Sequence, residues 1–323
     1  MIYLNENDIK NLGIDWFVCT KTIEEAVKCL ATYDTVQPIK PYLRFKNLKN
    51  RIIAMPAYVG GSFDIAGIKW IASFPENIRK NIPRASSIII LNDSDTGKVV
   101  SVINTVFLSV IRTVSVSALV LRYFLSLGQK NKLTVGIIGW GPIGQNHFKM
   151  CEEIFDNQIS KIVIYDIKNI QQKDIETHNK KIKVVIAKDW REAYEQSDVV
   201  ITCTVSDRSY IDKKPKPGSL LLNVSLRDYK IDIYKYVKDS IIVDDWNEVC
   251  REKTDIEFFH KECGLKKENV KTIVDVVVNG CLESYDQNIP IMFNPMGMGI
   301  FDIAIAKHYV DLARKNNVGL FLE

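Results

Sequence analysis

The chain has no C-x-x-C pair, and its seven cysteines are an odd number. That excludes a disulfide framework as the organising principle and points to a reducing, cytoplasmic location. Cys29 and Cys203 sit in apolar patterns and read as core packing. The N-terminus, Met1-Ile2-Tyr3-Leu4-Asn5-Glu6, has no basic segment followed by an apolar stretch, so no secretory signal is expected. A strong charge of one sign is also missing. The net charge is +4, and the short lysine run at 180–183 has Asp174, Glu176 and Asp189 nearby. Nucleic-acid binding is therefore not expected. No uninterrupted membrane-length apolar run exists. The longest apolar region, Val99 to Leu127, is broken by Asn104, Arg112 and Arg122, which argues against a membrane partner.

Other chemistries are excluded in the same way. The four histidines lack metal-ligand spacing with a Cys or acid, so no metal is assigned. His147 is expected on a helix, and His178, His260 and His308 at the surface. Neither a G-x-S-x-G motif nor a Ser-His-Asp arrangement is visible. Internal repeats and low-complexity tracts are absent.

What remains is a soluble globular composition, 46% hydrophobic and 25% charged, over 323 residues, long enough for two cores. The first ~115 residues read as α+β. Thr22-Ile23-Glu24-Glu25 is a capping-box signature that predicts a helix start, with Ile23, Val27, Leu30 and Ala31 on one side. Strands are predicted at 42–45, 51–55, 65–71, 86–91 and 99–103. The run Asn92-Asp93-Ser94-Asp95-Thr96-Gly97 supplies hairpin chemistry. The expectation is an antiparallel sheet. A long helix is predicted from about Val110 to Leu127, and another over Ile300–Ala313.

From Thr134 the rhythm becomes strand, helix, strand. Strands are predicted at 134–138, 162–165, 183–187, 199–203, 220–223 and 240–243, with a helix at 189–196. This is the doubly wound parallel pattern of an α/β fold. Directly after the first of these strands stands Gly139-Trp140-Gly141-Pro142-Ile143-Gly144. In a G-x-G-x-x-G turn the first glycine permits the tight turn and the second lets backbone approach a pyrophosphate. The third lets the helix pack on the strand. The second strand ends in Tyr165-Asp166, 22 residues after Gly144. A carboxylate there accepts hydrogen bonds from a ribose 2′-OH and repels a 2′-phosphate, which favours NAD over NADP.

Three cations stand in apolar company: Arg44, Lys69 and Arg112. A buried cation must snorkel, find an acid, or await an anionic ligand. Each alone reads as structural pairing. Three in one domain, beside a dinucleotide unit, shift the weight toward a carboxylate-binding pocket, with arginines for bidentate recognition and a lysine for proton transfer. Asp228 follows the fifth strand of the nucleotide unit, where ligand-binding loops lie. A helix cap or surface acid is its plainer reading.

These residues, in this order, resemble the ornithine cyclodeaminase/mu-crystallin family over essentially the whole chain. The marks are Met55-Pro56, Gly67-Ile68-Lys69, the Asp95-Thr96-Gly97 turn, Arg112-Thr113, the glycine loop, Thr202-Cys203-Thr204, Asp228, and Gly297 through Asp302. The strings at 36–44, 243–246, 251–253 and 294–298 are most similar to the subgroup that forms 2,3-diaminopropionate for siderophores.

The resemblance implies a homodimer built through the first domain (1–115 with 300–323) and NAD held by a Rossmann-type domain (116–299). It implies Arg44 and Arg112 as substrate-carboxylate ligands, Lys69 as catalytic lysine and Asp228 as catalytic acid/base. Substrate contacts are further expected at Met55 and Arg84. Cofactor contacts are expected at Gly139, Gly141, Pro142, Ile143, Gly144, Asp166, Thr202, Cys203, Thr204, Val224, Ser225 and Met298. Two positions depart from the cyclodeaminases, which carry a substrate-binding acid where this chain has Ile53 and a lysine where it has Asn294. An isoleucine cannot receive a cationic ornithine side chain. The expected substrate is a small anionic conjugate, N-(2-amino-2-carboxyethyl)-L-glutamate, whose three carboxylates suit Arg44, Arg112 and either Arg84 or Lys40. Cyclodeaminase, simpler amino-acid dehydrogenase, imine reductase and mu-crystallin-like binding protein are the alternatives.

Overall fold

The computed structural model describes residues 1–128, 132–177 and 179–323; His178 lies outside them. The chain packs as two units, Met1–Arg112 with Gly297–Glu323, and Thr113–Met296. In chain order the strands of the first unit are β1 (Ile2–Asn5), β2 (Thr35–Val36), β3 (Tyr42–Leu43), β4 (Arg51–Val59), β5 (Ile65–Ser73), β6 (Ala85–Asp93) and β7 (Val99–Asn104). The second unit holds β8 (Leu133–Ile138), β9 (Ile159–Tyr165), β10 (Lys183–Ile186), β11 (Val199–Thr202), β12 (Leu220–Asn223), β13 (Ile241–Val243), β14 (Lys271–Thr272) and β15 (Ile291–Asn294). The chain closes with β16 (Leu320–Phe321) in the first unit. The helices are α1 (Glu6–Leu12), α2 (Trp16–Ala31), α3 (Phe107–Ser126), α4 (Pro142–Ile154), α5 (Trp190–Glu195), α6 (Tyr234–Val237), α7 (Trp246–Val249), α8 (Asp255–Cys263), α9 (Ile273–Val277) and α10 (Gly299–Asn316).

In the first unit β4 to β7 form an antiparallel meander inside a sheet ordered β16-β1-β7-β6-β5-β4-β2, with β3 also on β4. The sheet is mixed, because β1 runs parallel to β7. Side chains alternate across a strand and directly opposed residues share a face. Met55, Lys69 and Ile89 are opposed in turn, so they lie on one face. The same face carries Ala57, Val59, Ile65, Leu91 and Ile103, all buried, and α10 packs on β4, β5 and β6. The hairpin expected at 92–97 forms. Asp93 accepts from Thr96 N and Oγ1, and Gly97 takes φ +69.

Helix α2 corrects the capping expectation. It starts at Trp16 on an Asp15 cap, whose Oδ1 accepts from Val18 N at 2.9 Å. Thr22 is inside the helix and donates to Val18 O. Trp16, Cys19, Thr20, Ile23, Ala26 and Val27 make one buried stripe, so packing carries the helix upstream of the Thr-x-x-Glu pattern.

The second unit's sheet is parallel throughout its pairs, ordered β10-β9-β8-β11-β12-β15-β13-β14. Every residue of β11, β12, β13 and β15 is buried, as expected of parallel strands buried on both faces. Strand β15 inserts between β12 and β13, and its Asn294 Nδ2 donates to Ile242 O of β13 and to Met292 O of its own strand. Helix α3 is long and apolar enough to cross a membrane by length and composition, yet 72% of that stretch is buried within the protein.

Candidate active site

One cluster of candidate residues lies within the first unit, on β4, β5 and α10. Lys69 is 1% exposed, and its Nζ donates to Asp302 Oδ2 at 2.7 Å. Arg112, on the first turns of α3, donates through Nε to Asp302 Oδ1 at 3.1 Å. Two of the three cations have therefore found an acid, and it is the same one. Asp302 is buried in the first turn of α10, where the helix dipole favours its charge. Burial pushes the Lys69 ammonium down to about 7, against the pull of Asp302 and with the push of Arg112 and Lys40. Lys40, itself buried, donates to Gly297 O at 2.7 Å.

The turn before α10 is shaped around Arg112. Gly297 has φ +88, and a Cβ there would stand 2.4 Å from Arg112 Nη1 and 2.8 Å from Cζ. Only glycine satisfies both conditions. Met55, opposite Lys69, is buried, and its carbonyl lies against Gly299. Met298, the residue before α10, is buried too.

Arg44 does not join this group. It is exposed, with its guanidinium on Leu48 O at 3.0 Å and over the Tyr42 ring. Arg84 is half-buried, and burial together with the neighbouring Arg51 holds its guanidinium below the usual arginine range.

A separate cluster, within the second unit, lies at the carboxyl ends of β8, β9, β11 and β12, where the sheet order reverses. Gly139 takes φ +105, and a Cβ there would strike the Cys203 carbonyl at 2.7 Å. A Cβ on Gly144 would strike Gly139 O at 2.0 Å. Gly141, the residue capping α4, has nothing within 4 Å of its Cβ position. The loop is thus tight on the protein side and open at its second glycine, as a pyrophosphate needs. Pro142 and Ile143 open α4, and Pro142 gives up a donor the helix does not need there. Asp166 Oδ2 accepts from Trp140 N at 2.6 Å and Oδ1 from Lys168 N at 2.8 Å. These bonds join the loop to the end of β9 and leave the carboxylate lone pairs for a ribose. Ile167 and Val205, 89% and 74% exposed, stand beside these strand ends. On α4, His147 is buried, and burial pushes its imidazole down to about 4. His260 is exposed, whereas His308 is half-buried rather than at the surface.

Asp228 is neither a cap nor a surface acid. It is fully buried and accepts from Thr204 Oγ1 and Ser225 Oγ. Its own carbonyl takes Tyr210 N and Ile211 N. Burial pushes the carboxyl up to about 6, partly offset by the Thr204 hydroxyl and the Arg227 charge. The loop from β12 reaches it through Leu226 at φ +64, a strained conformation for leucine. Leu226 is held there by its N–H on Asn223 Oδ1 and its carbonyl on Asp255 N. Val224 and Ser225 lie in this loop, and Thr202 donates from β11 to Asn223. Asn223 also donates to Asp255 Oδ2 at 3.0 Å and Asn294 Oδ1 at 2.8 Å. Burial, with the Asp228 charge nearby, pushes Asp255 up to about 7.

The profile of the ornithine cyclodeaminase/mu-crystallin family matches residues 7–317. The chain belongs to that family. It is 34% identical to N-((2S)-2-amino-2-carboxyethyl)-L-glutamate dehydrogenase of Staphylococcus aureus over 339 residues, covering 100% of this chain and 98% of the relative. It is 25% identical to alanine dehydrogenase of Archaeoglobus fulgidus, covering 98% and 97%. Among solved structures, the Thermococcus litoralis Delta(1)-pyrroline-2-carboxylate reductase in complex with NADH and L-proline shares the fold. Its TM-score is 0.86 at 22% identity, with 100% of both chains covered. Within this family fold, sequence reasoning missed Asp302 as the shared partner of Lys69 and Arg112. It also missed Asp255 and the Asn223–Asn294 pair, whose apolar strand context hides them.

Proposed function

We propose that the protein is an NAD-dependent dehydrogenase that converts N-(2-amino-2-carboxyethyl)-L-glutamate, NAD+ and water to 2-oxoglutarate, L-2,3-diaminopropionate, NADH and a proton. The observation that carries this reading is the full-length 34% identity to the Staphylococcus aureus dehydrogenase of that name. It is joined by a lysine–arginine–aspartate group suited to an anionic amino acid and by a glycine loop open at Gly141. NAD would be held by Gly139 to Gly144, by Asp166 on the adenosine ribose, by Ile167 and Val205 against the adenine, and by the loops at 202–204 and 224–225. When bound, it supplies the acceptor for the hydride from the glutamate α-carbon.

The protein's residues do the rest. Arg112 keeps its Nη donors for a substrate carboxylate, since Asp302 takes only Nε. Asp228, ionised above about pH 6, takes a proton from the water that attacks the carbon–nitrogen double bond. Lys69, with both protonation states present near pH 7, gives a proton to the departing nitrogen as the C–N bond breaks. Asp302 holds that lysine in place.

The test is NADH formation with stoichiometric 2-oxoglutarate on the named conjugate. Lys69→Ala and Asp228→Ala should each lose at least ~100-fold in turnover while retaining NAD affinity. Proline formation from ornithine without net NADH would replace this reading by the cyclodeaminase one.

Supporting a homodimer is the other face of the first unit's sheet. Trp70 and Ile88, directly opposed, are 41% and 37% exposed, and Ile52, Ile68 and Ile90 around them are only half-buried. An open apolar sheet face of this kind fits a second copy of the chain.

A further inference from the structure

The face of the first unit's sheet that carries Lys69 continues beyond it. Three successive rungs are Met55–Lys69–Ile89, then Ile53–Ile71–Ser87, then Arg51–Ser73–Ala85. Arg51 stands four residues along β4 from Met55, about 13 Å. Arg84 directly precedes β6 and so lies at the Arg51 end. Tyr42, opposite Ile53, has the Arg44 guanidinium 5.5 Å and the Arg51 guanidinium 5.9 Å from its ring centroid. The sheet face thus has cations at both ends and an uncharged rung between them.

Two observations show that the far end is not satisfied internally. Among the described residues, neither Arg51 nor Arg84 has an ion pair with an acid, although both are half-buried and Arg84 is close enough to Arg51 to feel its charge. In the middle rung Ser87 is 3% exposed, and among the described residues its Oγ has no hydrogen-bond partner. Like charges brought together, partly desolvated, call for an anion. The α10 helix begins over the Met55 rung, with Gly299 against the Met55 carbonyl. The outer two rungs, apart from Ser87, remain half-buried.

The geometry points to a second carboxylate site at Arg51 and Arg84, which selects substrates bearing an acid at both ends. This deepens the reading above and rests on it: the anion recognised there would be the side-chain carboxylate of the glutamate half. Ile53 and Ile71 line the way with apolar surface suited to its methylenes, and Ser87 offers a hydroxyl. An ordinary monocarboxylic amino acid leaves the two arginines unpaired, a source of discrimination that needs no clash.

The test uses two probes of equal length, 2-oxoglutarate and 2-oxopentanoate, titrated calorimetrically into the protein saturated with NADH. The wild type should bind the dicarboxylate at least ~10-fold more tightly, as expected for one charged hydrogen-bonded pair. Arg84→Gln and Arg51→Gln should each shrink that preference while leaving 2-oxopentanoate and NADH affinities unchanged. A wild type that binds both acids equally, or variants that keep the full preference, would overturn the proposal. Its failure is distinct from failure of the reaction. Dicarboxylate preference without turnover of the conjugate removes the reaction and keeps the site; turnover without the preference does the reverse.

Discussion

Burial disfavours charge of either sign, and so it moves Lys69 down and Asp228 up toward the same pH range. Two groups of opposite type thereby change protonation near neutrality, as the proposed proton transfers require. The hydroxyls of Thr204 and Ser225 donate to Asp228 and favour its charged form. Removing a donor to the carboxylate must therefore raise the pKa. Thr204→Ala should move the acid limb of kcat/KM, expected near pH 6 in the wild type, to higher pH. At pH 8, above both values, the loss should be smaller than at pH 6. A pH–rate profile that stays in place in the variant would show that the limb belongs to another group. Lys69 and Arg112 were legible as unusual residues because cations in apolar strings are rare. Their shared partner was not, since Asp302 is 190 residues from Arg112 in the chain and looks there like any acid in a first helical turn.

At the level of elements, the turn before α10 joins a backbone requirement to a side-chain one. Gly297 adopts φ +88, and its missing Cβ makes room for the guanidinium that Asp302 anchors. Gly297→Ala should push Arg112 off Asp302 as well as strain the turn. The expected outcome is a KM for the carboxylate substrate raised ~10-fold or more, with NAD affinity retained and a loss of stability of about 1 kcal/mol or more. Steady-state kinetics with thermal unfolding check both. Strong local patterns read well here. The hairpin at 92–97 and the glycine turn are chemistries of consecutive residues, and the structure has them where expected. Short or tertiary-dependent elements did not. β1 and β16 hold four and two residues, too few for a period, and they are defined by pairing with each other and with β7. The start of α2 moved from Thr22 to Asp15 because a buried stripe outweighs a local capping signature.

For the whole molecule, the alternation of β4, β5 and β6 gives the first unit's sheet two different faces. One holds Lys69, Ser87 and Arg51, and the other holds Trp70, Ile88 and their half-buried isoleucine neighbours. If the apolar face is where two copies meet, Trp70→Glu buries a charge in the interface and leaves the monomer's core untouched. Light scattering should then report a mass near the 36.9 kDa of one chain, with circular dichroism unchanged, where the wild type reports twice that. A variant of unchanged dimeric mass would place the interface elsewhere.

The sequence by itself determined what depends on neighbours in the chain. It carried the parallel strand pattern, the glycine turn with Asp166 after the second strand, and the identity of the residues that match the family. Tertiary structure alone decided how charges are shared. It set Lys69 and Arg112 on one carboxylate, left Arg44 on the surface, and brought Arg84 near Arg51 at one end of the sheet. The physical reason is that a buried charge is settled by what folding brings within a few ångströms of it, and those partners come from far along the chain.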